Sequence, residues 1–119
     1  MVVDYGAGDG TLLRRLGGGT GIEIEKVDPA PGVTIERRDI FSEDPIPADV
    51  SILMPGRLIE QPNPEWFEKL SKVGGRLILY GYGDWIDRYG GILNLCEAAG
   101  IAGAKLVHSV DGVGEVASI

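Results

Sequence analysis

Val2-Val3-Asp4-Tyr5-Gly6-Ala7-Gly8-Asp9-Gly10-Thr11-Leu12-Leu13-Arg14-Arg15-Leu16 is the stretch on which the fold turns. Val2 to Tyr5 is a short β-branched and aromatic run, and three glycines at alternate positions follow it. Leu12, Leu13 and Leu16 then share one helical face before Gly17 stops the helix. Strand, glycine loop and helix thus come in the order that lets a backbone approach a ligand closely at a helix start. Gly6, Gly8 and Gly10 make a G-x-G-x-G spacing. The dinucleotide fingerprint, G-x-G-x-x-G, places its third glycine one residue later, so dinucleotide binding fits less well. A purely structural reading of the glycines, a tight strand-to-helix turn, stays open beside the ligand-binding one.

Outward from that stretch, Thr20 to Glu25, Val33 to Arg37, Asp49 to Met54 and Arg76 to Tyr82 read as further strands. Asn63 and Pro64 open a helix in which Trp66, Phe67, Leu70 and Val73 recur on one face. Trp85, Tyr89, Ile92, Leu93, Cys96 and Ala99 give a third amphipathic helix closed by Gly100, although Gly90 and Gly91 each cost it about 1 kcal/mol relative to alanine. Lys105 to Val110 and Gly114 to Ile119 are joined by Asp111-Gly112-Val113, a hairpin signal, and read as two antiparallel strands. The order β-α-β-β-β-α-β-α-β-β predicts a three-layer α/β domain with a Rossmann-like, mostly parallel sheet of seven strands and an antiparallel last strand.

Two connections are short. Lys26 to Gly32, and a similar stretch after Arg37, hold no regular helix, while parallel crossovers normally need a dozen or more residues. The helices around strand three are therefore missing or shortened. The expectation is pairing through extended loops that leave one sheet face thinly covered, rather than a displaced third strand.

Composition narrows the function classes. The 119 residues form one domain, residues 1–119, and a 44% apolar content suffices for a core. The net charge of −7 offers no basic footprint and disfavours nucleic acid as a partner. One cysteine, Cys96, allows no internal disulfide, and no Cys/His cluster suggests a metal site. Neither a leader-like start nor a membrane-length apolar run is present, so a cytoplasmic protein is expected, with no membrane partner.

At the end of the second strand, Glu23 and Glu25 alternate with Ile22 and Ile24, placing the acids on one side and the apolar pair on the other. A carboxylate there can accept both hydroxyls of a ribose. Which of the two glutamates does so is open, as is a solvated strand end for either.

These stretches resemble the class I S-adenosylmethionine-dependent methyltransferases. Val2 to Gly10 looks like the family's first motif and Gly21-Ile22-Glu23-Ile24 like its second. Arg38-Asp39-Ile40-Phe41 resembles the acidic position after strand three, and Ser71 to Ile78 the turn into strand five. The resemblance covers nearly the whole chain and implies S-adenosylmethionine as cofactor. It implies that Gly6, Gly8 and Gly10 bound the methionine part, that Asp4 supports the loop, that Glu23 binds the ribose and that Asp39 with Ile40 meets the adenine. Ile52-Leu53-Met54-Pro55 and Gly81 to Trp85 are similar, over a shorter span, to small archaeal-type protein-lysine methyltransferases. The sequence departs from the family in several places. The sequence opens on strand one, so the roofing helices that usually precede it are expected to be absent, as are those flanking strand three, and Met54-Pro55-Gly56-Arg57 stands where many amino-group methyltransferases carry an Asn-Pro-Pro-aromatic signature. An open pocket of this kind suggests a large substrate, a homodimer or a partner subunit that completes the site.

Methyl transfer asks mainly for positioning, with a proton to be removed when the acceptor carries one. Arg57, Tyr82, Asp84 and Trp85 follow strands four and five at the sheet edge where ligands bind, and Arg57, Tyr82 and Asp84 are the catalytic candidates. Plainer readings exist for most of these. Trp85 and Tyr89 suit the helical core, Asp84 a helix cap, Cys96 a small core residue and His108 a strand face. The expected function is methyl transfer to an unidentified acceptor, a protein or a small molecule. The alternatives are a cofactor-binding module acting with a partner and, penalised by the glycine spacing and the lack of a Tyr-x-x-x-Lys pair, a nicotinamide oxidoreductase.

Overall fold

The computed structural model describes residues 1–119. Its strands are β1 (Val2–Tyr5), β2 (Gly19–Glu23), β3 (Val33–Arg37), β4 (Val50–Leu53), β5 (Arg76–Tyr82), β6 (Lys105–Val110) and β7 (Gly114–Ser118). They form one sheet in the order β3-β2-β1-β4-β5-β7-β6. β1 to β5 pair in parallel, with Asp4 between Gly21 and Ile52, and Ile52 beside Ile78. β7 inserts antiparallel to β5, Leu79 facing Ala117, and β6 pairs antiparallel with it at the edge. β2 and β3 pair in parallel with no helix between them, so the extended-loop expectation holds.

Alternation divides the sheet into two unlike faces. Val3, Tyr5, Leu53, Leu77, Leu79 and Ala117 belong to a single cluster of 15 buried residues. From the helices that cluster takes Leu58 of α2 (Gly56–Glu60), Trp66 and Leu70 of α3 (Pro64–Val73), and Ile92, Leu95 and Cys96 of α5 (Ile92–Ala98). The other face carries Asp4, and α1 (Thr11–Arg15) covers it only over β1 to β3. A methyl group added at Gly21 would lie 3.2 Å from Leu13 of α1. Val2, Val50 and Ile78 on that face are only half-buried, as a thinly covered face requires.

The loop between β3 and β4 does a crossover helix's work on the core face. Tyr5 Oη accepts the Ile46 N–H at 2.9 Å, and Trp66 Nε1 donates to the Glu43 carbonyl at 3.1 Å. Trp66 meets Tyr5 and Phe41 edge-on, with centroids 5.1 and 5.0 Å away. Such T-shaped pairs add to the apolar burial of the rings.

The helices correct three expectations. α3 starts as expected, the Asn63 side chain accepting the Trp66 N–H at 3.3 Å with Pro64 at its start, but Val73 is exposed. The predicted third helix is two, α4 (Asp84–Tyr89) and α5, because Gly90 and Gly91 adopt φ of +77° and +135°, which no helix allows. α2 was not expected: it has five residues, too few to show a period.

Candidate functional site

Strand order reverses between β1 and β4, and a cleft of about 270 Å³ opens there, over the carboxyl ends of β1, β2, β4 and β5. This is where ligands bind in open α/β sheets.

Asp4 lies beneath it, only 3% exposed, with Oδ1 lacking any hydrogen-bond partner. Burial, assisted by the nearby Glu23 charge, pushes its carboxyl up to about 6. Glu23 ends β2 and lines the cleft. Its Oε1 accepts the Gly8 N–H at 2.9 Å and its Oε2 the Glu25 N–H at 3.0 Å. Each oxygen keeps a lone pair for another donor. Glu25 is exposed and does not line the cleft.

The three glycines do different work. Gly6 and Gly8 have φ of +94° and +59° with open space where a side chain would stand. Gly10 is buried, and a Cβ there would lie 2.6 Å from Val33 Cγ1, so it permits packing of α1 on β3 rather than ligand approach. The loop's amides are mostly spent within the fold. Gly6 and Ala7 both donate to the Ile22 carbonyl, at 2.8 and 3.1 Å, and Gly10 donates to Ala7 at 3.1 Å. Asp9 Oδ1 accepts from both the Thr11 N–H and its hydroxyl, at 2.9 and 2.6 Å. Those bonds hold its carboxyl below the usual range. A loop with its N–H groups engaged and an ionised acid at the helix start is poorly made for a phosphate.

The walls include residues that the sequence reading missed. Ile24 lies beyond the end of β2, 52% exposed and against the cleft, so it does not share the buried side with Ile22. Arg38 lines the cleft with its Nε 3.1 Å from Glu36 and 3.0 Å from Glu43. Tyr80 and Met54 complete the β4–β5 side. Tyr80 has the signal of alternation, two residues before Tyr82 on the same strand face. Burial first and Asp4 second push its hydroxyl up to about 12, so it stays protonated and cannot act as a base.

Of the expected residues, Gly6, Glu23, Ile40, Arg57 and Tyr82 line the cleft together, and Asp4 lies under it. Asp39 does not reach it: its Oδ1 accepts the Phe41 N–H at 2.9 Å in a tight turn. Asp84 is exposed at the start of α4, away from the cleft, and makes no capping hydrogen bond. Trp85 and Tyr89 are half-buried against the core, their rings stacked 6.2 Å apart. His108 is exposed on β6, and Cys96 is buried with its thiol pushed up to about 11 by burial. No three His, Cys, Asp or Glu side chains come together as a metal site, and no helix is long and apolar enough to cross a membrane.

No family model matches this chain, and no curated protein matches its sequence. Solved structures do match. An rRNA methylase from Escherichia coli aligns at a TM-score of 0.63 and 15% identity, over 98% of this chain and 55% of its own. An RNA methyltransferase from Salinibacter ruber, in complex with S-adenosyl-L-homocysteine, aligns at 0.59 and 17%, over 98% of this chain and 77% of its own. An O-methyltransferase from neocarzinostatin biosynthesis, in complex with S-adenosylmethionine and 2-hydroxy-5-methyl naphthoic acid, aligns at 0.57 and 16%, over 98% of this chain and 47% of its own. The chain thus spans about half the length of two of these three. The likeness shows the fold, the Rossmann-like α/β fold of class I S-adenosylmethionine-dependent methyltransferases.

Proposed function

We propose that this chain is the cofactor-binding core of an S-adenosylmethionine-dependent methyltransferase. The observation that carries the reading is the orphaned Asp4 Oδ1, buried under an open glycine loop beside Glu23. A buried carboxylate without a partner favours a cationic donor, and the amino group of a methionine moiety is one. Gly6 and Gly8 leave the space that a main chain needs to approach a ligand closely. Glu23 has lone pairs left for ribose hydroxyls. Ile24 and Ile40 offer apolar surface to an adenine. Bound there, the cofactor would supply a methyl group already activated on a sulfonium.

What the chain contributes is positioning. Arg57 and Tyr82 stand at the opposite end of the cleft, where an acceptor would enter. That end carries no carboxylate or histidine, and Tyr80 keeps its proton. The acceptor must therefore arrive with a lone pair available, which favours a neutral or anionic nucleophile over an ammonium. By their names the matching structures act on RNA and on a small molecule, and another, from Lactobacillus delbrueckii subsp. bulgaricus, on ribosomal protein L11. A lysine acceptor, which the shorter sequence similarity would suggest, is the least favoured here.

A second reading, a cofactor-binding module that works with a partner or as a homodimer, is favoured by the bare sheet face around Val2, Val50 and Ile78. Incubation with methyl-labelled S-adenosylmethionine and a cell extract separates the two. Label transfer supports the enzyme, and cofactor binding without transfer supports the module.

A further inference from the structure

The cleft changes character along its length. Asp4 and Glu23 make its β1–β2 end anionic, whereas its β4–β5 end holds two aromatic rings and a cation. Tyr80 and Tyr82 have ring planes within 7° of parallel and centroids 6.2 Å apart. A third ring between them would need about 7 Å, twice a carbon–carbon contact distance. A planar ligand therefore cannot enter between them but can add to the free side of Tyr82, which is 55% exposed at the cleft mouth. Arg57 lines the same end. Its guanidinium makes no hydrogen bond, and its nearest carboxylate, Glu60, is 3.7 Å away. Arg38 differs, being held between two glutamates at 3.0 and 3.1 Å. Arg57 thus keeps a fork of N–H donors that matches a carboxylate.

We propose that the β4–β5 end of the cleft is a subsite for a small planar aromatic acid, its ring on Tyr82 and its carboxylate on Arg57. Calling this molecule the methyl acceptor rests on the methyltransferase reading; the binding itself does not. Asp4 and Glu23 repel an anion from the far end, so the charge pattern sets the ligand's direction as well as its place. A nucleic acid also offers rings and negative charge, but a chain of net charge −7 with one guanidinium clear of hydrogen bonds at the site opposes a polyanion.

Three matched probes test this by calorimetry on the full chain: naphthalene-2-carboxylate, which is flat and anionic, its flat neutral carboxamide, and non-planar decahydronaphthalene-2-carboxylate. The first should bind about tenfold more tightly than either of the others. Tyr82→Leu and Arg57→Gln should each weaken it about tenfold while leaving S-adenosylhomocysteine affinity within about twofold. Equal binding of the three probes overturns the proposal. So does a loss of S-adenosylhomocysteine affinity in either variant, which would give these residues to the cofactor, and so does tighter binding of an oligouridylate than of the naphthoate. If S-adenosylhomocysteine binds and the naphthoate does not, the subsite falls and the methyltransferase reading stands. If the naphthoate binds selectively and S-adenosylhomocysteine does not, the subsite stands and that reading falls.

Discussion

The Oε1 of Glu23 accepts the amide N–H of Gly8 at 2.9 Å, so the last side chain of β2 holds the loop that follows β1. Ligand binding and loop geometry are thereby tied to one carboxylate. Glu23→Gln keeps an oxygen for Gly8 and should leave stability within about 1 kcal/mol of wild type while lowering S-adenosylhomocysteine affinity about tenfold. Glu23→Ala releases the loop as well and should lower affinity further, with a measurable drop in melting temperature. Calorimetry and thermal unfolding on the two variants check this order.

Gly6 and Gly10 should respond oppositely to alanine. Gly10→Ala forces a Cβ to 2.6 Å from Val33 Cγ1 at a φ of +86°. Strain and overpacking together should cost about 2–4 kcal/mol in denaturant unfolding. Gly6→Ala meets no atom within 4 Å, so only the backbone strain, about 1–2 kcal/mol, falls on stability. Its methyl group would occupy cleft space, and cofactor affinity should fall by at least about tenfold.

Asp4 predicts a pH dependence whose sign follows from its raised carboxyl. Folding lifts it from 3.8 to about 6, so the native state holds the proton more tightly than the unfolded chain. The stability this confers is fully present below about pH 4 and is lost as pH rises through about 6, a change of about 3 kcal/mol. Asp4→Asn should remove that slope and be more stable than wild type at pH 7. If Asp4 receives the cofactor's ammonium, wild-type affinity should rise as pH increases through about 6, and Asp4→Asn should bind weakly at every pH.

Tyr5→Phe tests the loop that replaces a crossover helix. It leaves the Ile46 N–H without its acceptor, at a cost of about 1–3 kcal/mol, and loosens residues 38–49. Hydrogen exchange should quicken at Ile46, and S-adenosylhomocysteine affinity should change little, since Tyr5 points to the core face.

Much of this architecture was legible in the sequence because its signals are local. β1, its glycine loop and α1 are contiguous, and α3 shows its cap and stripe within ten residues. The Asp-Gly turn marks the terminal hairpin. What was illegible depends on contacts between distant segments or on backbone geometry. The division of the third helix follows from the positive φ of Gly90 and Gly91, and α2 is too short to announce itself. In the cleft, Ile24 was misplaced because β2 ends one residue before it, and Asp39 because its carboxylate is taken up by the Phe41 amide. Arg38 and Met54 enter through the register that sets β3 beside β2 and β4 beside β1, and Tyr80 through the pairing of β5 with β4. The glycines looked alike in sequence, yet Gly10 is packed against β3 while Gly6 and Gly8 are open.

The central claim is that Asp4, Glu23 and the loop between them form a cofactor site. Titration calorimetry of S-adenosylhomocysteine into the wild-type chain at pH 7.5 tests it without knowledge of the acceptor. One-to-one binding at micromolar affinity, abolished by Glu23→Ala, is the expected result. No binding by a chain that is folded by circular dichroism, or binding that Glu23→Ala leaves unchanged, would contradict it.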